Sequence, residues 1–519
     1  MDINDAFRSA YSALVTKPSK ILPFYFMSVS VPAVVRIAPI LTGVLVYFAL
    51  ARRGNIDEIQ TVLEDLPTEE FENPGSPGSF EDFGGSSASS GFEEEFLDSL
   101  RELADLVLVP EVIAIISISV VVFFLLTVIL NAVVSAGQVN VLYSALVGGE
   151  PVRDGVEGVF SDTKPFVLLL LLETVLLLVS TAILLAAGVA AVSVVGGIAG
   201  GLLGLVVFLV WLLALLVIHT MFIFAPQSVV VDGNGVFGAV RGSLDFIFEN
   251  PVEFIAYVIF AFAATIAFGS VAGFLNILGA PAAVSVLGFV VFAPFVGVVK
   301  TDMYTRHADE EVVLTRDASL SPERTVDGFR RGWDEMVSFT VTNIPLIAVC
   351  AVLLFGAGAV AWEYTIGADI GIETSIADRI EQLTPVGGFV NFTANNWAVA
   401  VAQSYAGFVF GIGTVVSLVF NGVALGFLAA TETNLPELVA FVVPHGIVEI
   451  PALLISGALG LRLGIVSVGY VRGSVSVAEI SDEVSTAYQV LVGLLILFAV
   501  AGLIEGFFSP YYYDILFDL

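Results

Sequence analysis

The chain has 519 residues, of which 57% are hydrophobic and only 13% are charged. Soluble proteins carry about 25% charged residues, so this composition excludes an ordinary soluble protein. The single cysteine, Cys350, excludes a disulfide within the chain and sites that need several cysteines, such as iron–sulfur centres. Apolar runs of about 20 residues match the hydrocarbon core of a bilayer and predict an all-α, polytopic membrane helix bundle.

The chain has 50 acidic residues against 19 basic ones, a net charge of −31 at pH 7. This charge argues against nucleic acid as a partner, because nucleic acid is also strongly negative. Molar salt relieves self-repulsion of this size, since it shortens the Debye length to about 3 Å. The charge balance therefore favours a halophilic archaeon as the source, with an acidic interaction loop in a mesophile as the other explanation.

Eleven apolar segments are predicted to cross the plasma membrane. A cytoplasmic N-terminus places fourteen basic residues inside and four outside, which follows the positive-inside rule and puts the C-terminus outside the cell. Segment 397–430 then either crosses twice or forms a re-entrant hairpin. The predicted spans are 22–50, 110–134, 165–190, 200–224, 253–275, 281–299, 342–364, 397–411, 413–430, 438–468 and 488–508.

The spans and loops divide the chain into three parts. Residues 1–300 are predicted to form a six-span domain, 301–341 a cytoplasmic linker with an amphipathic helix, and 342–519 a five-span domain. In the first part, the outer loop 51–109 carries 15 acidic and 3 basic residues. The middle of this loop is rich in Gly, Ser and Pro and is predicted to be disordered. Apolar residues at helical spacing predict a short helix at 96–108.

Four short segments on the predicted cytoplasmic side combine a few charges with apolar residues three or four positions apart. Each precedes a proline, so they are predicted to be amphipathic helices that lie in the membrane interface and bend into the next span. They could dock partners or sense lipid, or they could be simple elbows in the chain. The segments begin at Asn4, Arg153, Val236 and Val326, and their prolines are Pro23, Pro165, Pro251 and Pro345.

His445 and Glu449 stand four residues apart inside an apolar segment. On a helix, this spacing places both side chains on one face within contact distance. Pro444 and Pro451 are predicted to bend or loosen the helix around them. Ionisable groups at membrane depth are costly, so three explanations stay open: a structural polar cluster, a proton or cation site, and a metal or catalytic site. The amide side chains predicted to face this pair across the bundle are Asn421, Asn396 and Gln403.

Arg36 lies between Pro32 and Pro39 in the first predicted span and is another charged residue at membrane depth. An unpaired arginine at the bilayer centre costs about 2.5–3.5 kcal/mol. Glu173 in the third span is its predicted partner. The alternative is that the Arg36 side chain extends to the outer membrane surface.

Three motifs stand out in the C-terminal third: Asn395-Asn-Trp-Ala-Val-Ala, Asn421-Gly-Val-Ala-Leu-Gly and, most specifically, Pro444-His-Gly-Ile-Val-Glu-Ile-Pro-Ala. Together they resemble the stage II sporulation protein M family over about residues 340–510. Sporulation members of that family recruit peptidoglycan-degrading partners, so the resemblance implies a membrane protein that organises other proteins. A halophilic archaeon has neither endospores nor peptidoglycan, so the sporulation setting itself is not expected.

These observations favour a non-enzymatic membrane scaffold or assembly factor in cell-envelope organisation. The alternative is a transporter or channel-like protein for an ion or small molecule that uses His445 and Glu449. The sequence contains no phosphate-binding loop, dinucleotide-binding fingerprint or nucleophile elbow, and no cofactor is expected. The expected partners are the lipid bilayer and a membrane or envelope protein, or a second copy of the chain.

Overall fold

The computed structural model describes residues 3–64, 89–313, 321–368, 374–376 and 384–509. Within these ranges the regular structure is helical, apart from one isolated bridge between Thr374 and Glu432. The prediction of an all-α fold is therefore confirmed. The middle of loop 51–109, which is predicted to be disordered, lies mainly outside the described residues. Residues 510–519 at the end of the chain also lie outside them.

The helices follow one another through short turns, and proline often occupies the first turn, where its missing N–H costs nothing. The N-terminal half contains α1 (Ile3–Thr16), α2 (Pro18–Val35), α3 (Ile37–Arg53), α4 (Asn55–Glu64), α5 (Ser89–Val107), α6 (Pro110–Val147), α7 (Pro151–Val195), α8 (Gly197–Phe222), α9 (Ala225–Val231), α10 (Val236–Glu249), α11 (Pro251–Ile277), α12 (Ala282–Leu287), a π-helical turn (Gly288–Phe292) and α13 (Ala293–His307). The C-terminal half contains α14 (Pro322–Thr342), α15 (Ile344–Ala368), α16 (Pro385–Tyr405), a 3₁₀ turn (Ala406–Phe408), α17 (Ile412–Thr431), α18 (Leu435–Val471), α19 (Val477–Leu503) and a second π-helical turn (Ile504–Phe508).

Ten helical segments of the described chain are long and apolar enough to cross a bilayer, and each overlaps a predicted span. They establish a polytopic membrane protein. The predicted span 397–411 differs, because it is the second half of α16, which begins at Pro385. This helix is less apolar than the ten because it carries several amide side chains, namely Asn391, Asn395, Asn396 and Gln403.

Helices α16 and α17 form an antiparallel hairpin within the C-terminal bundle. Its turn packs Gly411 against Gly464 of α18, and Gly411 has a φ of 78°, which favours glycine. Two positions before Gly464, Arg462 pairs with Glu483 of α19 at an exposed end of the bundle. The hairpin therefore extends to that end instead of turning back midway, and this geometry favours two crossings over a re-entrant hairpin for 397–430.

Packing divides the chain into two compact units, one formed by Met1–Val34 with Val128–Leu519 and the other by Val35–Thr127. The second unit has a small core around Leu50 and Val112, and an ion pair joins Arg53 to Glu111. The helix predicted at 96–108 is present there as part of α5.

The first unit joins the N-terminal helices to the C-terminal ones. Phe26 of α2 contacts the rings of Phe289 and Trp397 edge-on, at centroid distances of 5.6 and 5.4 Å. All three residues belong to one buried cluster with helices α14 to α19. The packing units therefore differ from the predicted domains, whose boundaries at 300 and 342 follow loops and charge rather than contacts.

All four segments predicted as amphipathic helices are helical, as α1, the beginning of α7, α10 and α14. The predicted proline bends are present only in part. Helix α11 begins at Pro251, whereas Pro165 lies inside the continuous helix α7 and Pro23 lies inside α2. Membrane helices tolerate an interior proline because neighbouring groups and local adjustments satisfy the freed backbone carbonyls.

Glycines bring α15 and α17 into backbone contact. A Cβ added to Gly422 would overlap the carbonyl oxygen of Leu354, and one added to Gly426 would overlap that of Gly358. Gly422 and Gly426 are four residues apart and share one helix face, the small-xxx-small pattern that lets membrane helices approach closely. We call the contact of Gly422 and Gly426 with Leu354 and Gly358 the glycine seam. It fixes the register of α15 against α17.

The ion pair between Arg462 and Glu483 is expected to contribute little to stability. Arg462 Nε lies 3.0 Å from a Glu483 carboxylate oxygen, and the arginine side chain is 44% exposed. Exposed ion pairs contribute about 0.2–1 kcal/mol and are screened by salt. Replacing Arg462 with alanine should therefore lower the thermal unfolding midpoint in detergent slightly at low salt and not at all in 1 M salt.

Arg472→Ala is the matched control, because Arg472 directly follows the same helix and forms no ion pair among the described residues. Its substitution should have no effect in either buffer. A loss at Arg462 that persists undiminished in 1 M salt would contradict the prediction.

Candidate functional site

Three ionisable side chains meet inside the C-terminal bundle. His445 and Glu449 come from α18, and Glu505 comes from the π-helical turn after α19. His445 Nε2 lies 3.9 Å from a carboxylate oxygen of Glu505. One donor atom from each residue lies within 4.8 Å of the other two. We call these three residues the His–Glu–Glu cluster.

The local helix geometry explains how these side chains converge. His445 and Glu449 are one turn apart on α18, as predicted, but Pro444 and Pro451 leave that helix continuous from Leu435 to Val471. The expected loosening of the helix is therefore not observed. Glu505 reaches the cluster from a π-helical turn, a distortion of the α-helix that often occurs at functional sites.

Most of the cluster is shielded from solvent. His445 is 6% exposed and Glu505 is 8% exposed. Among the described residues, neither Glu449 Oε2 nor Glu505 Oε2 has a hydrogen-bond partner, although both atoms are buried. His445 Nδ1 lies 3.4 Å from the hydroxyl of Ser509, at the limit of a hydrogen bond. Buried polar groups without partners are costly, so these two oxygens mark an unsatisfied site.

The cluster lies far from the exposed Arg462–Glu483 pair along the bundle. From Glu483 to Glu505 there are 22 positions, which correspond to roughly 33 Å at the α-helical rise of 1.5 Å per residue. This length is close to the thickness of the hydrocarbon core, about 30 Å. Along α19, the ion pair and Glu505 are therefore separated by about the thickness of the hydrocarbon core.

The amides predicted to face His445 lie elsewhere. Gln403 donates to the carbonyl oxygen of Leu453 at 3.0 Å and to the hydroxyl of Ser456 at 2.9 Å. Its own side-chain oxygen accepts from Ser417, whose carbonyl oxygen accepts from Asn421. Gln403 and Asn421 thus belong to a separate polar layer with satisfied hydrogen bonds.

Asn396 is the third amide of the prediction, and it accepts a hydrogen bond from its neighbour Asn395 at 3.1 Å. It contributes neither to the Gln403 layer nor to the His–Glu–Glu cluster through any hydrogen bond of the described residues. The predicted group of five residues therefore separates into three places.

The predicted partners Arg36 and Glu173 have different surroundings. Glu173 pairs with His219 of α8, with 3.0 Å between Oε1 and Nδ1. Arg36 is exposed at the break between α2 and α3, and it forms no ion pair among the described residues. The extension of its side chain to the outer membrane surface stays a prediction.

Sequence reasoning missed Glu505, although the signal was present. Glu505 lies inside the predicted span 488–508, so it is an ionisable residue at membrane depth in the same sense as Glu449. It has no charged neighbour at helical spacing that would draw attention to it. Only the packing of α19 against α18 shows that it completes a group of three.

A comparison with protein families finds a match for the part of the chain that contains this site. Residues 258–510 match the family model described as Stage II sporulation protein M. This part of the chain is therefore similar to that family. We call it the SpoIIM region. It begins well before residue 340, where the sequence motifs suggested a start, and it contains the whole His–Glu–Glu cluster and the glycine seam.

Other similarities are less informative about function. Residues 159–307, which overlap the SpoIIM region, match a domain of unknown function, DUF7847. An uncharacterized protein of Methanocaldococcus jannaschii, MJ0793, is 27% identical over 126 residues, which cover 24% of this chain and 71% of the relative. No solved structure matches the chain.

Proposed function

We propose that the protein is a non-enzymatic scaffold that assembles proteins of the cell envelope. The observation that carries this proposal is the glycine seam, which holds α15 and α17 in backbone contact at Gly422 and Gly426. The similarity of the SpoIIM region to its family implies a membrane protein that organises other proteins, and this role is consistent with the proposal.

The seam supports a fixed arrangement of the bundle. Sliding of either helix would move the side chains that flank Gly422 or Gly426 onto the backbone of α15. Transporters alternate between two arrangements of their helices around a site. A bundle with one preferred register is better suited to present a constant surface to partners.

Helix α14 offers a surface for contact with the membrane or with another membrane protein. One face packs on α19, where Gly332 meets the backbone of Gly493. Large apolar side chains spaced by three or four positions are exposed elsewhere on the helix, as expected for an amphipathic helix at an interface. These residues are Val326, Phe329, Trp333, Val337 and Val341.

The proposed partners are accordingly the lipid bilayer and a membrane or envelope protein, or a second copy of the chain. The proposal includes a plasma-membrane location with a cytoplasmic N-terminus and an extracellular C-terminus, based on the distribution of basic residues. It also includes a saline environment, based on the net charge of −31.

A transporter or channel-like protein for an ion is the second candidate. The observation that favours it is the pair of buried carboxylate oxygens without partners, on Glu449 and Glu505. Intramembrane carboxylates of this kind often mark ion or proton pathways.

Co-purification distinguishes the two functions. We expect a protein partner to remain bound in fixed stoichiometry when the full chain is purified from its native membranes, and to remain bound equally to a Glu449→Gln variant. A fixed platform does not depend on the charge of one carboxylate. Quantitative mass spectrometry of the detergent-solubilised complex measures the stoichiometry, and Glu363→Gln, at an exposed glutamate of α15, is the control.

Cation flux into proteoliposomes provides the opposing test. Vesicles with the wild-type chain are expected to take up cations no faster than vesicles without protein. The transporter would be established instead if the wild-type chain showed cation flux that Glu449→Gln abolished and Glu363→Gln preserved. Thermal unfolding of both variants must be unchanged for this conclusion. A chain that purifies without any stoichiometric partner and without self-association would reject the scaffold.

A further inference from the structure

We propose that His445, Glu449 and Glu505 bind one divalent transition-metal ion of the Zn²⁺ or Mn²⁺ type. The ion joins α18 to the segment that follows α19. This inference does not depend on the scaffold or the transporter, since a structural metal is compatible with either.

The positions of the donor atoms support metal binding. The three donor atoms lie within 4.8 Å of one another, and His445 and Glu505 approach to 3.9 Å. An ion about 2.1 Å from each donor in a tetrahedral site holds the donors roughly 3.4 Å apart. Small rotations of the two carboxylates are therefore enough to bring the donors to coordinating distance.

The charges also balance. Two carboxylates carry a charge of −2 when ionised, and a divalent cation neutralises them in a place where isolated charges are costly. Coordination would also give partners to Glu449 Oε2 or Glu505 Oε2, which lack hydrogen bonds among the described residues. Glu505 is 8% exposed, so water offers little compensation.

The orientation of the imidazole agrees with this assignment. The Nδ1 atom of His445 faces the Ser509 hydroxyl at 3.4 Å, while Nε2 faces Glu505. In metal sites, a contact of this kind at the second ring nitrogen orients the histidine and fixes its tautomer. One imidazole and two carboxylates suit Zn²⁺ or Mn²⁺ better than Mg²⁺ or Ca²⁺, which prefer oxygen ligands alone.

The chain supplies its own control. His219 and Glu173 also form an intramembrane His–Glu contact, at 3.0 Å, but the His219 side chain is 68% exposed and no third ligand joins them among the described residues. A pair of this kind lacks the donors for tight binding. Substitutions there remove the same residue types without touching the proposed site.

The test uses the full chain in detergent, stripped with a chelator and then dialysed against Zn²⁺ or Mn²⁺. We expect about one ion per wild-type chain by elemental mass spectrometry, and a higher thermal unfolding midpoint with the metal. Glu505→Gln and Glu449→Gln should each weaken binding at least tenfold and remove the thermal shift. His219→Gln and Glu173→Gln should retain both.

Two outcomes would overturn the proposal. One is a folded wild-type chain, judged by its thermal transition, that retains no ion after dialysis, which would leave a proton shared by the two carboxylates as the occupant. The other is an ion content that Glu505→Gln and Glu449→Gln do not reduce. Glutamine preserves the shape of glutamate, so these variants are suited to fold. Retention of the protein partner is measured separately, and its result distinguishes a failure of the metal site from a failure of the scaffold.

Discussion

Replacing Trp397 with alanine is expected to destabilise the protein by about 3–5 kcal/mol, the range for deleting a large aromatic side chain from a core. Trp397 is 3% exposed and packs edge-on against Phe26 and face-to-face with Phe289. Its indole N–H also donates to the carbonyl oxygen of Leu491 at 2.8 Å, and the substitution removes this hydrogen bond. Denaturant or thermal unfolding in detergent measures the loss.

Two further variants show how the loss depends on the size and burial of the side chain. Trp397→Phe keeps an aromatic ring but removes the N–H donor together with part of the indole, so we expect a smaller loss of about 1–3 kcal/mol. Trp333→Ala is the matched control, because Trp333 lies on α14 and is 40% exposed, and its loss should stay near 0.5 kcal/mol. Equal losses at Trp397 and Trp333 would show that the aromatic cluster does not stabilise the bundle.

The contacts of Trp397 with Phe26 and Phe289 also show which helices belong to the same folded unit. Phe26 lies outside the SpoIIM region, yet it contacts two aromatic residues inside it. Helix α2 therefore completes the core of that region. A fragment that begins at residue 258 would expose the face of Trp397 that Phe26 covers.

The membrane-spanning helices could be predicted from the sequence, because the bilayer requires long apolar helices and leaves few other structures. Hydropathy found the segments that became α6, α7, α8 and α11. It misplaced α16, which begins at Pro385 rather than at 397, because the first half of that helix is polar and packs partly against α19. Hydropathy cannot distinguish a polar helix covered by protein from a loop.

The candidate site could be predicted only as far as local spacing allowed. His445 and Glu449 share a helix face because they are four residues apart. The contact with Glu505 depends on tertiary packing between α18 and α19, and no sequence spacing encodes it. The hydrogen bonds of Asn421 and Gln403 could not be predicted for the related reason that local spacing does not reveal which neighbouring helix an amide side chain faces.

Replacing Gly426 with alanine is expected to destabilise the protein by about 2–3 kcal/mol. The new methyl group would overlap the carbonyl oxygen of Gly358, and a backbone atom cannot move aside as a flexible side chain can. Helices α15 and α17 must therefore separate, at a cost within the range of overpacked cores. Thermal or denaturant unfolding of the full chain in detergent measures the change.

Gly356→Ala is the matched control, because Gly356 lies in α15 two residues before Gly358 and a Cβ there meets no atom within 4 Å. Alanine is a better helix former than glycine by up to about 1 kcal/mol, so this variant should be unchanged or slightly more stable. The two substitutions are chemically identical, and opposite signs of their effects isolate the backbone contact.

A loss of stability at Gly356 equal to that at Gly426 would mean that the glycine seam sets no register, and the scaffold proposal would then lose its main support. The partner can then be tested at temperatures where both variants remain folded. If Gly356→Ala retains the protein partner and Gly426→Ala loses it, the register of α15 against α17 is required for assembly.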